Sequence, residues 1–330
     1  MTLPFDAVLL ISFGGPNGPE DIRPFLKNVL KNRPVADHRI EQVARHYELF
    51  GGVSPIARLT QFQATGLSNL LMRHKMHLPV YVGMRNWHPF LADTLLEMAE
   101  ANVHSAIGFI MAAHHSYSSC GQYRQNVLDA RRVLIEKGKH DIDITYVSSW
   151  FNHPKFIEAN AQHVKTALNK LPSKIQSKTR LLFTAHSIPV KMAARSQYHS
   201  QLLESAKLVA EKLKVSDWAL VFQSRSGRPE DPWLEPDVGD YLKDEIKKGL
   251  KGVVICPIGF VADHIEILYD LDTEVTAIGR DLDLPITRAA SVNDNSMFLD
   301  MMFDLVQTTC TRYATGPPLP LISLENVTLI

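Results

Sequence analysis

The sequence predicts an α/β protein made of two similar doubly wound domains with parallel sheets and a cleft between them. Three observations predict it. Short β-rich apolar runs alternate with longer amphipathic stretches along the whole length. Several runs are almost continuously hydrophobic, as strands are when helices cover both faces of a parallel sheet. And 330 residues suffice for two domains of ordinary size, each with its own core.

Taken in order, the candidate strands are 7–13, 80–85, 105–113 and 144–150, then 180–186, 218–224 and 253–260. Helical periodicity fills the intervals at 61–74, 90–101, 122–137, 154–170 and 200–213. The expected division is an N-terminal domain over 1–114 and a C-terminal domain over 115–295. A last helix, 296–310, is expected to pack back on the first domain. The tail 315–330, with Pro317, Pro318 and Pro320, reads as irregular.

Bulk properties exclude several classes. Lys plus Arg equal Asp plus Glu at 35 each, so no global field favours nucleic acid. No apolar run reaches the roughly 18 residues of a membrane span. The opening MTLPFDAVLLISFGGP reads as a buried strand rather than a secretory signal, and the expected compartment is the cytoplasm. The three cysteines, Cys120, Cys256 and Cys310, are far apart, so neither a disulfide framework nor an iron–sulfur cluster is expected.

In open α/β sheets ligands bind beyond the carboxyl ends of the strands, so those ends carry the search for function. The first strand runs into Gly14-Gly15-Pro16, a turn with the wrong spacing for a dinucleotide and with prolines where amide donors would be wanted. Its bare backbone suits close approach by a flat ligand. The strand at 180–184 ends in Ala185-His186-Ser187, which aims His186 into the cleft; imidazole there accepts a proton or binds a borderline metal, or else is a hydrogen-bonded structural group. After 253–256, Glu266, Asp270 and Glu274 recur at i, i+4, i+8 and form one acidic ridge on a helix, with Asp263 extending it. That ridge reads either as a relay for a cation or protons or as a solvated face; His264 beside Glu266 favours the former, because imidazole with carboxylate matches iron(II). The loop 223–237, with two arginines and Trp233, reads equally as a wall of the site or as a structural clamp.

At these residues the chain resembles the ferrochelatases, over nearly its whole length. The segments are ISFGGPNGPEDI at the start, YELFGGVSPI at 47–56, TAHSIP at 184–189, FQSRSGRPEDPWLEPDV at 222–238 and PIGFVADHIEILYDLDTE at 257–274. The last three together are highly specific. The resemblance implies a chelatase-like fold with a porphyrin cleft, and insertion of ferrous iron (Fe2+) as substrate during haem synthesis. It implies His186 and Glu266 as the catalytic and metal-binding pair, with Asp270 and Glu274 as the passage for metal or protons. Tyr47, Ser54 and Tyr123 match porphyrin-contacting positions, and Phe13 matches the residue over the macrocycle face. No resident cofactor is implied. The partners are the porphyrin and its haem product, with room for a transient partner in haem or iron delivery.

Two porphyrins compete as substrate. The stretch 16–51 is short and holds Lys27, Lys31, Arg33, Arg39 and Arg45, which suit the extra carboxylates of coproporphyrin III over protoporphyrin IX. Phe13 departs from the tyrosine that many soluble coproporphyrin enzymes carry there. Their arginines near Leu30 and His46 are absent too, with Lys31 and Arg45 one residue away and His46 a candidate replacement contact. Trp233 and His264 complete the expected substrate contacts. The other classes are a non-catalytic tetrapyrrole carrier, which needs no acidic ridge, and a cobalt chelatase for a precorrin-type ring, which favours more histidines.

Overall fold

The computed structural model describes residues 3–31, 37–227 and 230–315. Arg33 and the tail from 316 onward lie outside them. Eight strands form two parallel four-stranded sheets: β1 Ala7–Ser12, β2 Val80–Met84, β3 Ser105–Ile110 and β4 Asp143–Tyr146, then β5 Arg180–His186, β6 Trp218–Gln223, β7 Val253–Cys256 and β8 Ile286–Arg288. The orders are β2-β1-β3-β4 and β6-β5-β7-β8, so one topology occurs twice. All six residues of β1 are buried, as two-sided helical cover requires.

The strand pairing corrects two expectations. β4 pairs with β3, Ala106 opposite Ile144, so residues 143–146 belong to the first sheet and the crossover to the second sheet comes after them, not near 114. The fourth strand of the second sheet, β8, is only three half-buried residues long, too short to show a hydrophobic period. The helix expected over 61–74 runs Ile56–Arg73, opening directly after Pro55.

The two sheets share one core. Leu10 and Phe109 of the first and Phe183 and Cys256 of the second join one buried cluster with Phe156, Phe298 and Met301 from the helices between. The last helix, Ser296–Thr315, sits between helix Ile56–Arg73 and helix Pro154–Leu168 and reaches the first sheet, where Tyr313 meets Phe5 at 5.1 Å between ring centroids. The expected tail thus yields Thr315 to this helix. A buried amide pins the halves as well: Gln63 Nε2 donates to the carbonyls of Val261 at 3.0 Å and Asn293 at 2.8 Å. Between β1 and β2 lies a helical insertion, including Ile22–Val29 and Asp37–Glu48, whose Phe25 packs on Phe13 just past the carboxyl end of β1. Its residues Phe25, Ala44 and Tyr47 form a small cluster with Ile265 from the second half.

Candidate active site

His186 is the last residue of β5, opposite Gln223 of β6. Pro189 lacks an amide proton and stops the strand from extending. The ring Nδ1 donates to the carbonyl of Ser187, which leaves the lone pair of a neutral imidazole on Nε2. Tyr198 fixes the backbone there, its hydroxyl donating to the His186 carbonyl at 3.0 Å. The loop after β6 clamps the next residues: Ser187 Oγ donates to the Leu234 carbonyl at 2.8 Å, and Leu234 N to Ile188 O at 3.0 Å.

Facing His186 is Glu266. Its Oε2 lies 3.9 Å from His186 Nε2 and 3.5 Å from His264 Nε2, and its side chain is 40% exposed. It is thus ringed by protein yet open to the cleft. Burial raises its pKa, but the hydrogen bond from His264 and the charges of both imidazoles, when protonated, outweigh that and hold it at about 2. His264 itself is extended backbone, so the helix begins at Ile265.

Asp263 therefore leaves the ridge that spacing assigned it to. Its carboxylate accepts from Arg288 Nη1 at 3.0 Å, Ser291 N at 3.2 Å and Asn293 Nδ2 at 3.1 Å. Burial pushes its pKa up, and these partners bring it below the usual value. Arg288 also forks onto Asp272 at 2.6 and 2.8 Å, so one guanidinium anchors the Glu266 helix before and after it.

The ridge is not one α-helix. An α-turn, Ile265–Tyr269, gives way to a π-helical turn, Asp270–Val275, and then to Thr276–Asp281. Exposure varies along it: Glu274 is exposed, Asp270 is half-buried, and Glu266 opens to the cleft. Asp270 accepts from Ser224 Oγ. Burial and the charges of Glu266 and Glu274 push its pKa up to about 6 against that hydrogen bond. The Glu266 charge also reaches Tyr47, Tyr123 and Tyr198, adding to the burial that raises all three phenols, with Arg85 offsetting part of it at Tyr123.

The opposite wall is aromatic. Phe13 follows β1 and precedes Gly14, whose φ of +86° turns the chain away. Its ring meets Phe25 at 6.2 Å, and Phe25 meets Tyr47 at 5.7 Å. The Arg85 guanidinium lies 5.6 Å from the Phe13 ring and 4.8 Å from that of Tyr123. Ser54 is buried against Gly15, where a Cβ would come within 2.6 Å.

The structure thus brings His186, Glu266, His264, Asp270, Phe13, Tyr47 and Tyr123 together. Leu30 and Lys31 close the outer end of helix Ile22–Val29, Arg45 is exposed, and Trp233 packs on Gly227 within the clamp. Among the described residues none of these four joins the hydrogen-bond and ion-pair network of His186 and Glu266. His46 stacks on Tyr269. Sequence reading missed Arg85, Tyr198, Ser224 and Arg288 as site residues. Arg85 ends a predicted strand and was findable by the strand-end rule; Tyr198 lies within a helix and carried no signal. Among the described residues, no group of three or more His, Cys, Asp or Glu is arranged to hold a metal ion.

The ferrochelatase family model matches residues 5–310. The chain belongs to the ferrochelatase family. It is an enzyme, a porphyrin metal chelatase that inserts ferrous iron. It is similar to the coproporphyrin III ferrochelatase of Streptomyces coelicolor, 42% identical over 92% of this chain and 85% of that one. The ferrochelatase of Rhodopirellula baltica is also 42% identical, over 96% and 89%. In fold the chain is similar to SirB from Bacillus subtilis, with a TM-score of 0.56, 10% identity and coverage of 93% and 96%. It is similar too to DR2241 from Deinococcus radiodurans, with a TM-score of 0.52, 13% identity and coverage of 91% of this chain and 54% of that one. No helix among the described residues is long and apolar enough to cross a membrane.

Proposed function

We propose that this ferrochelatase metallates coproporphyrin III, with His186 and Glu266 as the working pair. The observation that carries the assignment of roles is the facing of His186 Nε2 and Glu266 Oε2 at 3.9 Å beside an aromatic wall. As iron(II) replaces the two pyrrole protons, the lone pair at Nε2 accepts them one at a time, giving up the first to the ridge or to solvent before it takes the second. Glu266, anionic beside two imidazoles, draws the cation and holds it opposite the ring. Asp270 and Glu274 carry metal inward or protons outward; with its pKa pushed up to about 6, Asp270 exchanges protons readily near neutral pH. The reading needs no resident cofactor. It places the enzyme in the cytoplasm and leaves room for a transient partner that delivers iron or takes haem.

Coproporphyrin III is favoured over protoporphyrin IX by the name of the Streptomyces relative and by the exposed Lys27, Lys31, Arg39 and Arg45 on the insertion, which suit additional carboxylates. Phe13 has no oxygen to offer product iron, so its own contribution to the ring face on that side is packing. The test is anaerobic metallation followed by absorption. The expected result is kcat/KM for coproporphyrin III at least tenfold above that for protoporphyrin IX; equal or reversed values contradict the assignment.

A further inference from the structure

The helix that carries Glu266 is tied to the insertion in two layers. The inner layer is the apolar cluster of Ile22, Phe25, Leu26, Ala44 and Tyr47 with Ile265, which Leu268 flanks. The outer layer is a ring pair. His46, on helix Asp37–Glu48, stacks on Tyr269 with ring centroids 3.6 Å apart and planes 9° from parallel. The two rings belong to opposite halves of the chain, and both are half-buried. Beside them opens a basin of about 520 Å³, lined also by Gln42, Arg45, Glu48 and Leu49, of which Leu49 is 67% exposed. Among the described residues, the ion pairs of helix Asp37–Glu48 with other elements lead back to the insertion: Arg23 of helix Ile22–Val29 forks onto Glu41 at 2.9 and 2.6 Å and meets Glu48 at 3.4 Å. Helix Asp37–Glu48 is thus braced on its own lobe by ion pairs, and its outer hold on the second half is the stack.

We propose that the His46–Tyr269 stack is an outer clasp between the two halves, and that the porphyrin enters and leaves when it parts. This rests on the reading of the cleft as the porphyrin site. Both residues act as positioning groups: the stack sets how far the insertion stands from the Glu266 helix, and the chemistry stays with His186 and Glu266. Turned onto Tyr269, the imidazole of His46 is committed to packing. Burial, with the charge of Arg39, lowers its pKa, which suits a neutral ring in a stack rather than a cation for a carboxylate. The recognition of ring carboxylates on this side then falls to the exposed Arg45 and Arg39.

The test uses the full chain with His46→Ala, Tyr269→Ala, the double variant and His46→Phe, which keeps a stacking ring. Two quantities are read: hydrogen exchange over 37–48 and 265–275 without ligand, and the dissociation rate of coproporphyrin III followed by its fluorescence. Each alanine variant should exchange faster in both segments and release porphyrin about three- to tenfold faster, the range an aromatic pair supports. The double variant should be no faster than either single one, because one contact is lost in all three. His46→Phe should stay near wild type. Unchanged exchange, unchanged release, or effects that multiply in the double variant overturn the clasp. Failure of the wild type to bind coproporphyrin III overturns the cleft reading itself, and that is seen before any variant is made.

Discussion

Asp270 shows how one carboxylate can be costly to the fold and useful to the site. It sits between Glu266 and Glu274 with Ser224 as donor, and its pKa is pushed up to about 6. An unfolded aspartate titrates near 3.9. The native state therefore binds this proton more tightly, and between about pH 4 and 6 native stability falls as pH rises. Above the folded pKa the ionised group is a fixed cost. Asp270→Asn removes that cost and keeps an acceptor for Ser224. Urea titrations should find the variant more stable at pH 7.5 by about 1 kcal/mol, a value discounted for partial exposure, with the gap closing below pH 4. A variant less stable at pH 7.5 contradicts the picture of a strained acid. At the same scale Glu266 is the reverse case, held at about 2 by His264 and His186 and charged throughout the working range.

The element that matters most is the short segment from Asp263 to Asp281, and its anchor is Arg288 on β8. Arg288 and Asp263 side chains are both 15% exposed, and Arg288 reaches Asp272 on the π-helical turn as well. Replacing it by alanine leaves Asp263 largely buried without its cation, which costs about 3 kcal/mol. The pKa of Asp263 is depressed, so this contribution is present above its unfolded pKa and is lost as pH falls through the folded one. Arg288→Ala should therefore be destabilised at pH 7, with a difference that shrinks below pH 4, and should exchange amides faster over 265–275. Equal stability at pH 7 contradicts the role of Arg288 as the anchor of this segment.

Across the whole molecule, how much was legible follows from where each signal lies. Strands β1, β5 and β7 are buried on both faces, so their composition announced them. β8 is three half-buried residues, and β4 is four with one buried, so neither the last strand nor the true place of the crossover had a period to read. His186 was visible because a strand end points at the crevice, and Glu266 because acids recur along one helix face. The π-helical turn inside that face left no mark, since i, i+4 spacing says nothing of a locally wider turn. Asp263 was misread for the same reason: whether it belongs to the helix depends on an extended His264 and on an arginine on a strand that was not foreseen. Tyr198 and Arg85 reach the site from another helix and from just past another strand, a relation fixed only by the packing of two sheets on one core.

In the proposed mechanism His186 takes the pyrrole protons while the rest of the cleft holds the ring. Single-turnover insertion of iron(II) into coproporphyrin III, measured anaerobically beside the porphyrin dissociation constant, tests it on the His186→Ala variant. The predicted result is insertion slowed by at least about a hundredfold, the lower range for loss of a general base, with porphyrin affinity within about threefold of wild type. Insertion at the wild-type rate, or loss of insertion explained wholly by loss of porphyrin binding, would contradict it.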